Sequence, residues 1–285
     1  AFTSNHNYLF KEFFAFKYIY PLIISQDELS TYDTVFHITL QINALKYQKY
    51  KRSNIAQEIC DYFKVPLIDY KKKINSVKND NIKTISIFPI STSVIRSMPL
   101  HIVEKIIEIF GNEYKVKIIC DNSDYSKYFL ENIKKDNFIF VEPKNIESLI
   151  LEISITNFGI FMDSGPLHIA KCFNKNGILV ETSVSSKILL SNSKNIMSLN
   201  NKYKSNYCNG PCGLVDLFAY ENKAGCYETH KLNFNDIISF KNKKNLQRWD
   251  KKENNSHFIS NPVGCIKQID VNNIIELIKY NMRRV

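Results

Sequence analysis

"FGIFMDSGPLHIAKCF", residues 158–173, contains two apolar segments separated by a polar turn. The first segment is a short continuous apolar run, and in the second the apolar residues have helical spacing. The apolar run at 158–162 predicts a buried strand, and residues 165–173 predict a helix. The turn between them has two interpretations. Either Asp163 or Ser164 caps the helix, with Pro166 in its first turn, or the turn holds an anionic ligand at the helix N-terminus.

The same alternation of strands and helices extends outward along the chain. Strands are predicted at 83–90, 114–120, 137–143, 158–162 and 177–182, and helices at 99–111, 123–135, 145–156, 165–173 and 270–282. This order is typical of stacked βαβ units with a parallel sheet. A strand at 33–40 and a helix at 53–66 indicate part of a similar unit, and the Lys-rich run 71–83 is its linker. We therefore expect an α/β protein with two Rossmann-like domains, residues 1–80 and 81–285.

The composition favours anionic partners. The chain has 285 residues, with 38 Lys and Arg against 28 Asp and Glu, a formal net charge of +10. General enrichment in Lys, Asn and Ile explains the excess equally well, because the basic residues are scattered. No run approaches the ~18 apolar residues of a membrane span, and no secretory signal is visible. We expect a soluble, cytoplasmic protein, with no nucleic-acid partner because RNA-binding and zinc-finger patterns are missing.

The turn at 163–165 is the first candidate ligand site, because ligands of open parallel sheets bind beyond the carboxyl ends of the strands. Gly165 lets a ligand approach the backbone. Ser164 and the free helix N–H groups would bind phosphate oxygens, and Asp163 would orient the loop or bind a sugar hydroxyl. His168 either contacts a phosphate or packs in the core.

The second candidate is the turn after the strand at 83–90. It offers Ser91, Thr92, Ser93 and Arg96 just before a predicted helix. Hydroxyls and one cation at the end of a strand suit a diphosphate, whereas the alternative is an ordinary Ser/Thr-rich loop. Neither turn contains a P-loop or a G-x-G-x-x-G pattern, which argues against an NTPase or a dehydrogenase.

The segment at 158–173 resembles the Asp-Ser/Thr-Gly-x-x-His-x-Ala signature of glycosyltransferase family 9, the ADP-heptose:lipopolysaccharide heptosyltransferases. "YDTVFHITLQ" (32–41) and "SIFPISTSVIRSMPLHIVEKI" (86–106) resemble two further segments of that family in the same order. The resemblance implies a GT-B fold, in which two Rossmann-like domains face each other and the C-terminal one binds the donor. Its donor-binding residues here would be Asp163, Ser164, Gly165, His168, Ser91, Thr92 and Arg96.

The resemblance also implies the reaction: transfer of a heptose or similar sugar from an ADP-sugar donor to a lipopolysaccharide core or related glycan. It implies no required cofactor, since helix N-termini and basic side chains offset the charge of the leaving diphosphate. It allows peripheral contact with the inner membrane. Transfer of heptose to a protein acceptor and an inactive nucleotide-sugar-binding module are the alternatives.

The chain departs from the family at three places. Met98 replaces the usual Trp, and "LVETSVSS" (179–186) replaces the usual Phe-Gly turn. The family's first βα unit, which carries the catalytic carboxylate, has no counterpart. We therefore expect the N-terminal domain to be incomplete, and no catalytic base is assigned.

Four late cysteines form the last candidate site: Cys208, Cys212, Cys226 and Cys265. Four thiolates could bind a structural Zn or Fe, and disulfides are disfavoured in a cytosolic protein. The resemblance implies iron, as in protein-modifying members of the family. The alternative is a set of reduced cysteines within a loop.

Overall fold

The computed structural model describes ten segments: residues 2–3, 18–20, 24–33, 64, 66, 83–190, 193–200, 202–218, 225–231 and 256–282. Near the N-terminus, strands β1 (Phe2–Thr3) and β2 (Ile19–Tyr20) pair in parallel, and helix α1 (Gln26–Ser30) follows. The predicted strand at 33–40, apart from Asp33, and nearly all of the predicted helix at 53–66 lie outside these segments. The domain boundary near residue 80 stays a prediction.

A six-stranded sheet forms the C-terminal unit. Its strands are β3 (Thr84–Phe88), β4 (Lys115–Ile119), β5 (Ile139–Val141), β6 (Phe158–Phe161), β7 (Asn176–Val180) and β8 (Ile196–Leu199). Every pairing is parallel, in the order β5-β4-β3-β6-β7-β8. The α/β prediction is confirmed, and the five predicted strands are all present. β8 was not predicted.

The described segments of this unit contain six α-helices: α2 (Leu100–Phe110), α3 (Asp124–Asn132), α4 (Ile146–Ile155), α5 (Gly165–Cys172), α6 (Ser186–Leu189) and α7 (Val271–Met282). Five of them match predicted helices, whereas α6 was not predicted. In α4, Asn145 and Ser148 form a capping box that fixes the start of the helix. Among the described residues, no helix is long and apolar enough to cross a membrane.

The sheet separates two hydrophobic clusters, so both of its faces are covered. Helices α2, α3 and α7 contribute to one cluster, and α4 and α5 to the other. Both faces of β3 and β6 are therefore buried, as their continuous apolar sequences require.

The strand order reverses between the two central strands, β3 and β6. From β3 the chain adds β4 and β5 on one side, and it then crosses over to build β6, β7 and β8 on the other. The turns that follow β3 and β6 therefore diverge and leave a crevice at the carboxyl edge, the usual ligand site of such sheets. These are the two turns that the sequence marks as candidate sites.

Candidate functional site

A cavity of about 340 Å³ lies at this crevice, within the size range of small-molecule sites. Its lining residues are Ile90, Ser91, Thr92, Arg96, Asp121, Asp163, Ser164, Gly165, Pro166 and His168. All seven donor-binding residues predicted from the sequence are among them. The fold thus brings the two candidate turns, about 70 residues apart in the chain, to one cavity. The binding role of each residue stays a prediction.

The N-terminus of α5 has no side-chain cap. Ser164 occupies the N-cap position with extended backbone, but its hydroxyl lies 3.4 Å from the carbonyl oxygen of Met162 and accepts no helix N–H. Pro166 stands in the first turn, as predicted. The interpretation of this turn as a side-chain helix cap is therefore wrong. Pro166 has no N–H, and the Leu167 N–H donates to the carbonyl of Ser164 at 3.2 Å. The N–H of Gly165 is therefore the group at the start of α5 that stays available to an anion, which the helix dipole favours.

Gly165 faces open space. A Cβ added to this residue would meet no atom within 4 Å, and Gly165 itself lines the cavity. A ligand can therefore approach the backbone at the start of α5 without meeting a side chain, as the sequence predicted.

Arg96 is held in place by two side chains. Its Nη1 lies 3.2 Å from Oδ2 of Asp163, and its Nη2 donates to Oγ1 of Thr92 at 2.6 Å. The side chains of Arg96 and Asp163 are only 17% and 12% exposed. The Asp163 carboxylate thus orients the cation across the mouth of the cavity, and Thr92 fixes its other branch.

A chain of serine hydrogen bonds shapes the turn after β3. The Ser91 hydroxyl donates to the carbonyl of Asp163 at 2.8 Å, and its N–H donates to the Ser97 hydroxyl at 3.0 Å. Ser97 in turn donates to the carbonyl of Ser93. The Ser91 proton is therefore committed to joining the two turns, and this hydroxyl can meet a ligand only as an acceptor. Ser97 was not predicted, because nothing in its spacing separates it from its serine neighbours.

His168 lines the cavity and part of its surface is exposed, but nearby protein atoms still desolvate the imidazole. This burial lowers the pKa of His168 below its ordinary value of 6.5. Lys171 lowers it further, whereas Asp163 raises it. The imidazole is therefore neutral near pH 7 and can accept a hydrogen bond from a ligand hydroxyl or donate one to a phosphate oxygen.

Asp121 is a lining residue that the sequence analysis missed. It follows β4, and its Oδ1 accepts hydrogen bonds from the Ser123 N–H at 3.2 Å, the Ser123 hydroxyl at 2.5 Å and the Ser126 hydroxyl at 2.7 Å. Its position in the sequence could have indicated it, because Asp121 is an acidic residue directly after the predicted strand at 114–120. The carboxyl end of that strand lies at the same edge of the sheet as the two candidate turns.

The four late cysteines lie close to one another. The pKa of the Cys208 thiol is raised to about 12, mainly by burial and further by the neighbouring thiols of Cys212 and Cys226. The pKa of Cys265 is raised by burial and by the other three thiols. The donor set has the chemistry of a thiophilic metal site. Within the described segments, however, no group of three or more His, Cys, Asp or Glu side chains is placed to hold a metal ion.

This cysteine region packs against the site from two directions. The short 3-10 turn Gly264–Gln268, which contains Cys265, contacts the 3-10 turn Val94–Arg96. The N–H of Gly213 donates to the carbonyl of Ser183, just after β7, at 2.7 Å. The polypeptide around the cysteines therefore borders both the arginine turn and the β7 turn.

The chain has partial likeness to several solved structures. No protein-family model and no curated protein matches the chain. Solved structures that match include the E. coli heptosyltransferase WaaC with ADP, at 12% identity over 59% of this chain and 53% of that one, with a TM-score of 0.41. A glycosyl transferase family 9 protein from Veillonella parvula matches at 16% identity over 69% and 55%, with a TM-score of 0.38.

The iron-containing dodecameric glycosyltransferase TibC from enterotoxigenic E. coli matches at 14% identity over 74% of this chain and 48% of that one, with a TM-score of 0.43. The chain spans about half the length of the solved structures it matches. These structures are glycosyltransferases, the class that the sequence resembles. At TM-scores of 0.38 to 0.43 and identities of 12 to 16%, the likeness carries no argument about activity, which has to be argued from the site.

Proposed function

We propose that the chain is the donor-binding part of a glycosyltransferase that takes a heptose or similar sugar from an ADP-sugar. The observation that carries the proposal is the uncapped N-terminus of α5, which opens at Gly165 into a cavity that also holds the Arg96 guanidinium. A helix N-terminus and a fixed cation at a switch point suit a diphosphate. The proposal also rests on the sequence resemblance to glycosyltransferase family 9.

The same groups would assist the chemistry. When the bond between the sugar and the diphosphate breaks, negative charge grows on the leaving diphosphate oxygen. The Arg96 guanidinium and the N–H of Gly165, at the positive end of the α5 dipole, would stabilise that charge without a divalent metal. Asp163, already paired with Arg96, would keep the cation oriented while the ligand enters. A base must still accept the proton of the acceptor hydroxyl, and we assign that role to no residue of this chain.

For the acceptor we propose a lipopolysaccharide core or a related glycan, with the protein in the cytoplasm and in peripheral contact with the inner membrane. Heptose transfer to a protein is the alternative acceptor class. These proposals come from the sequence resemblance, since the described residues carry no feature that selects one acceptor.

Calorimetric titration of ADP tests the donor site. We expect the wild-type protein to bind ADP and the double variant Asp163→Ala, Ser164→Ala to lose most of that affinity. Asp136→Ala is the matched control, because this exposed acidic residue lies outside the cavity lining. No binding of ADP by the wild type would refute the proposal. Binding of ADP-heptose without release of ADP in the presence of lipopolysaccharide core acceptor would favour the inactive binding module.

For the cysteine region we propose a structural Zn or Fe on Cys208, Cys212, Cys226 and Cys265. Four mutually close thiols, two of them buried and two half-buried, support it. Metal binding would require them to move from the arrangement described above and would release their protons. Elemental analysis of protein purified without chelators should find about one metal ion per chain, and the Cys265→Ser variant should lose it. The control variant Cys120→Ser should keep the metal, because Cys120, just after β4, is not among the thiols that shift the pKa values of Cys208 and Cys265. Metal-free wild-type protein would refute the proposal.

A further inference from the structure

Among the described residues, three buried side-chain polar atoms have no hydrogen-bond partner: Nε of Arg96, Oγ1 of Thr182 and Oγ of Ser183. All three lie at the carboxyl edge of the sheet, after β3 and β7, the two strands that flank β6. Buried polar groups are nearly always paired, because an unmade hydrogen bond in the interior is costly. Three such atoms at one edge therefore point to a group that is missing from this edge.

Thr182 and Ser183 do not line the cavity; they lie one strand further along the edge. Phe161 of β6 pairs with Leu179 of β7. Ser164 lies three residues after Phe161 and Thr182 three residues after Leu179, so these two residues occupy corresponding positions after neighbouring strands. Neighbouring strands are roughly 5 Å apart. If the diphosphate of a ligand binds at Ser164, the group attached directly to that diphosphate would lie next to the β7 turn.

The two ends of the ligand can be told apart by the groups near each. On the side of β4, the cavity lining includes Asp121, an acceptor for the hydroxyls of a nucleoside. On the side of β7, Thr182 and Ser183 are 1% and 2% exposed and carry two unpaired hydroxyls. Paired hydroxyl groups suit the hydroxyls of a sugar ring.

The segment that contains Cys208 and Cys212 lies against this turn. The N–H of Gly213 donates to the carbonyl of Ser183 at 2.7 Å. A sugar that binds the Thr182 and Ser183 hydroxyls would have to displace this segment from the β7 turn. The sequence at 179–186 is also where the chain departs from the family that it resembles, so this turn is a feature of the chain itself.

We infer that Thr182 and Ser183 form a subsite for the transferred sugar, separate from the diphosphate cavity. The inference rests on the proposed function. In the ligand-free protein the two hydroxyls lack partners and destabilise the fold; in the complex they exchange hydrogen bonds with hydroxyls of the sugar.

The test uses the full chain and the double variant Thr182→Val, Ser183→Ala, with ADP and ADP-heptose as titrants. We expect ADP affinity to change by less than about twofold and ADP-heptose affinity to fall by about tenfold, which corresponds to about 1.4 kcal/mol. The melting temperature without ligand should stay the same or rise, because the variant removes two unpaired hydroxyls.

Thr156→Val is the matched control. This threonine is equally buried, but its hydroxyl contacts the Ser86 hydroxyl at 3.0 Å and the Glu152 carbonyl at 2.8 Å. It should lower the melting temperature and leave the ratio of the two affinities unchanged.

Three results would overturn the inference. An unchanged ratio of ADP-heptose to ADP affinity in the double variant would show that the hydroxyls do not bind the sugar. A fall in melting temperature like that of Thr156→Val would show that they bond within the fold. Absence of ADP binding by the wild type would refute the proposed function and the subsite together, whereas wild-type ADP binding with an unchanged ratio refutes the subsite alone.

Discussion

Gly165→Ala separates ligand binding from folding at the start of α5. The added Cβ would meet no protein atom within 4 Å, so the folded state can accept it without strain. Replacing Gly by Ala at a compatible position reduces the freedom of the unfolded chain, and we expect the free energy of unfolding to rise by about 0.4–1 kcal/mol. The methyl group would project into the space through which we propose that the diphosphate reaches the helix.

The expected loss of affinity follows from the bonds at stake. A hydrogen bond from a backbone N–H to a charged phosphate oxygen contributes about 1.5–3 kcal/mol. Holding the phosphate away from one such N–H should therefore weaken ADP binding by about 10- to 150-fold. Calorimetric titration gives the affinity, and urea denaturation of the same samples gives the free energy of unfolding.

Gly111→Ala is the matched control at the other end of a helix. Its Cβ would lie 2.6 Å from the carbonyl oxygens of Ile107 and Asn137. This overpacking should cost about 1–3 kcal/mol of stability and leave ADP affinity unchanged. If Gly165→Ala binds ADP within about twofold of the wild type, the phosphate does not approach the start of α5 and the reasoning fails.

Three further predictions concern charge, protonation and packing. Arg96→Gln should weaken ADP binding by about 10- to 150-fold through loss of a charged hydrogen bond, whereas Lys105→Gln, on the exposed face of α2, should not; calorimetry at several salt concentrations distinguishes them. Burial lowers the pKa of His168 and bound diphosphate would raise it, so ADP affinity should increase as the pH falls from about 7.5 to about 5.5. His168→Gln should lose the part of this increase that does not come from ADP itself, and an identical pH profile would contradict the assignment. Gly159→Ala should lower the free energy of unfolding by at least about 1–3 kcal/mol, because its Cβ would lie 2.1 Å from Cζ of Phe161; wild-type stability in urea would contradict the packing described here.

The sheet was predictable from the sequence because β3 and β6 are apolar on both faces and the helices between the strands have clear amphipathic spacing. β8 was not, since "IMSL" at 196–199 is only four residues long and its strand state depends on pairing with β7. Propensity alone does not specify a strand of this kind.

The candidate site was predictable to a different degree. The two turns could be placed at one edge, because the carboxyl ends of parallel strands coincide. The sequence could not reveal that Ser164 leaves α5 uncapped, since Ser at this position ordinarily caps a helix. It also could not show that Arg96 is paired with Asp163, as the two residues meet only through the neighbouring positions of β3 and β6.

The hydrogen bond from the Ser91 hydroxyl to the Asp163 carbonyl has a consequence for how such a protein can diversify. It fastens the two central turns to each other, while the turn after β7 contributes nothing to that fastening. With the sugar subsite that we infer at Thr182 and Ser183, we expect substitutions at these two positions to alter sugar preference and to leave nucleotide binding unchanged. A library randomised at these two positions alone should yield proteins that differ in sugar preference and share one affinity for ADP.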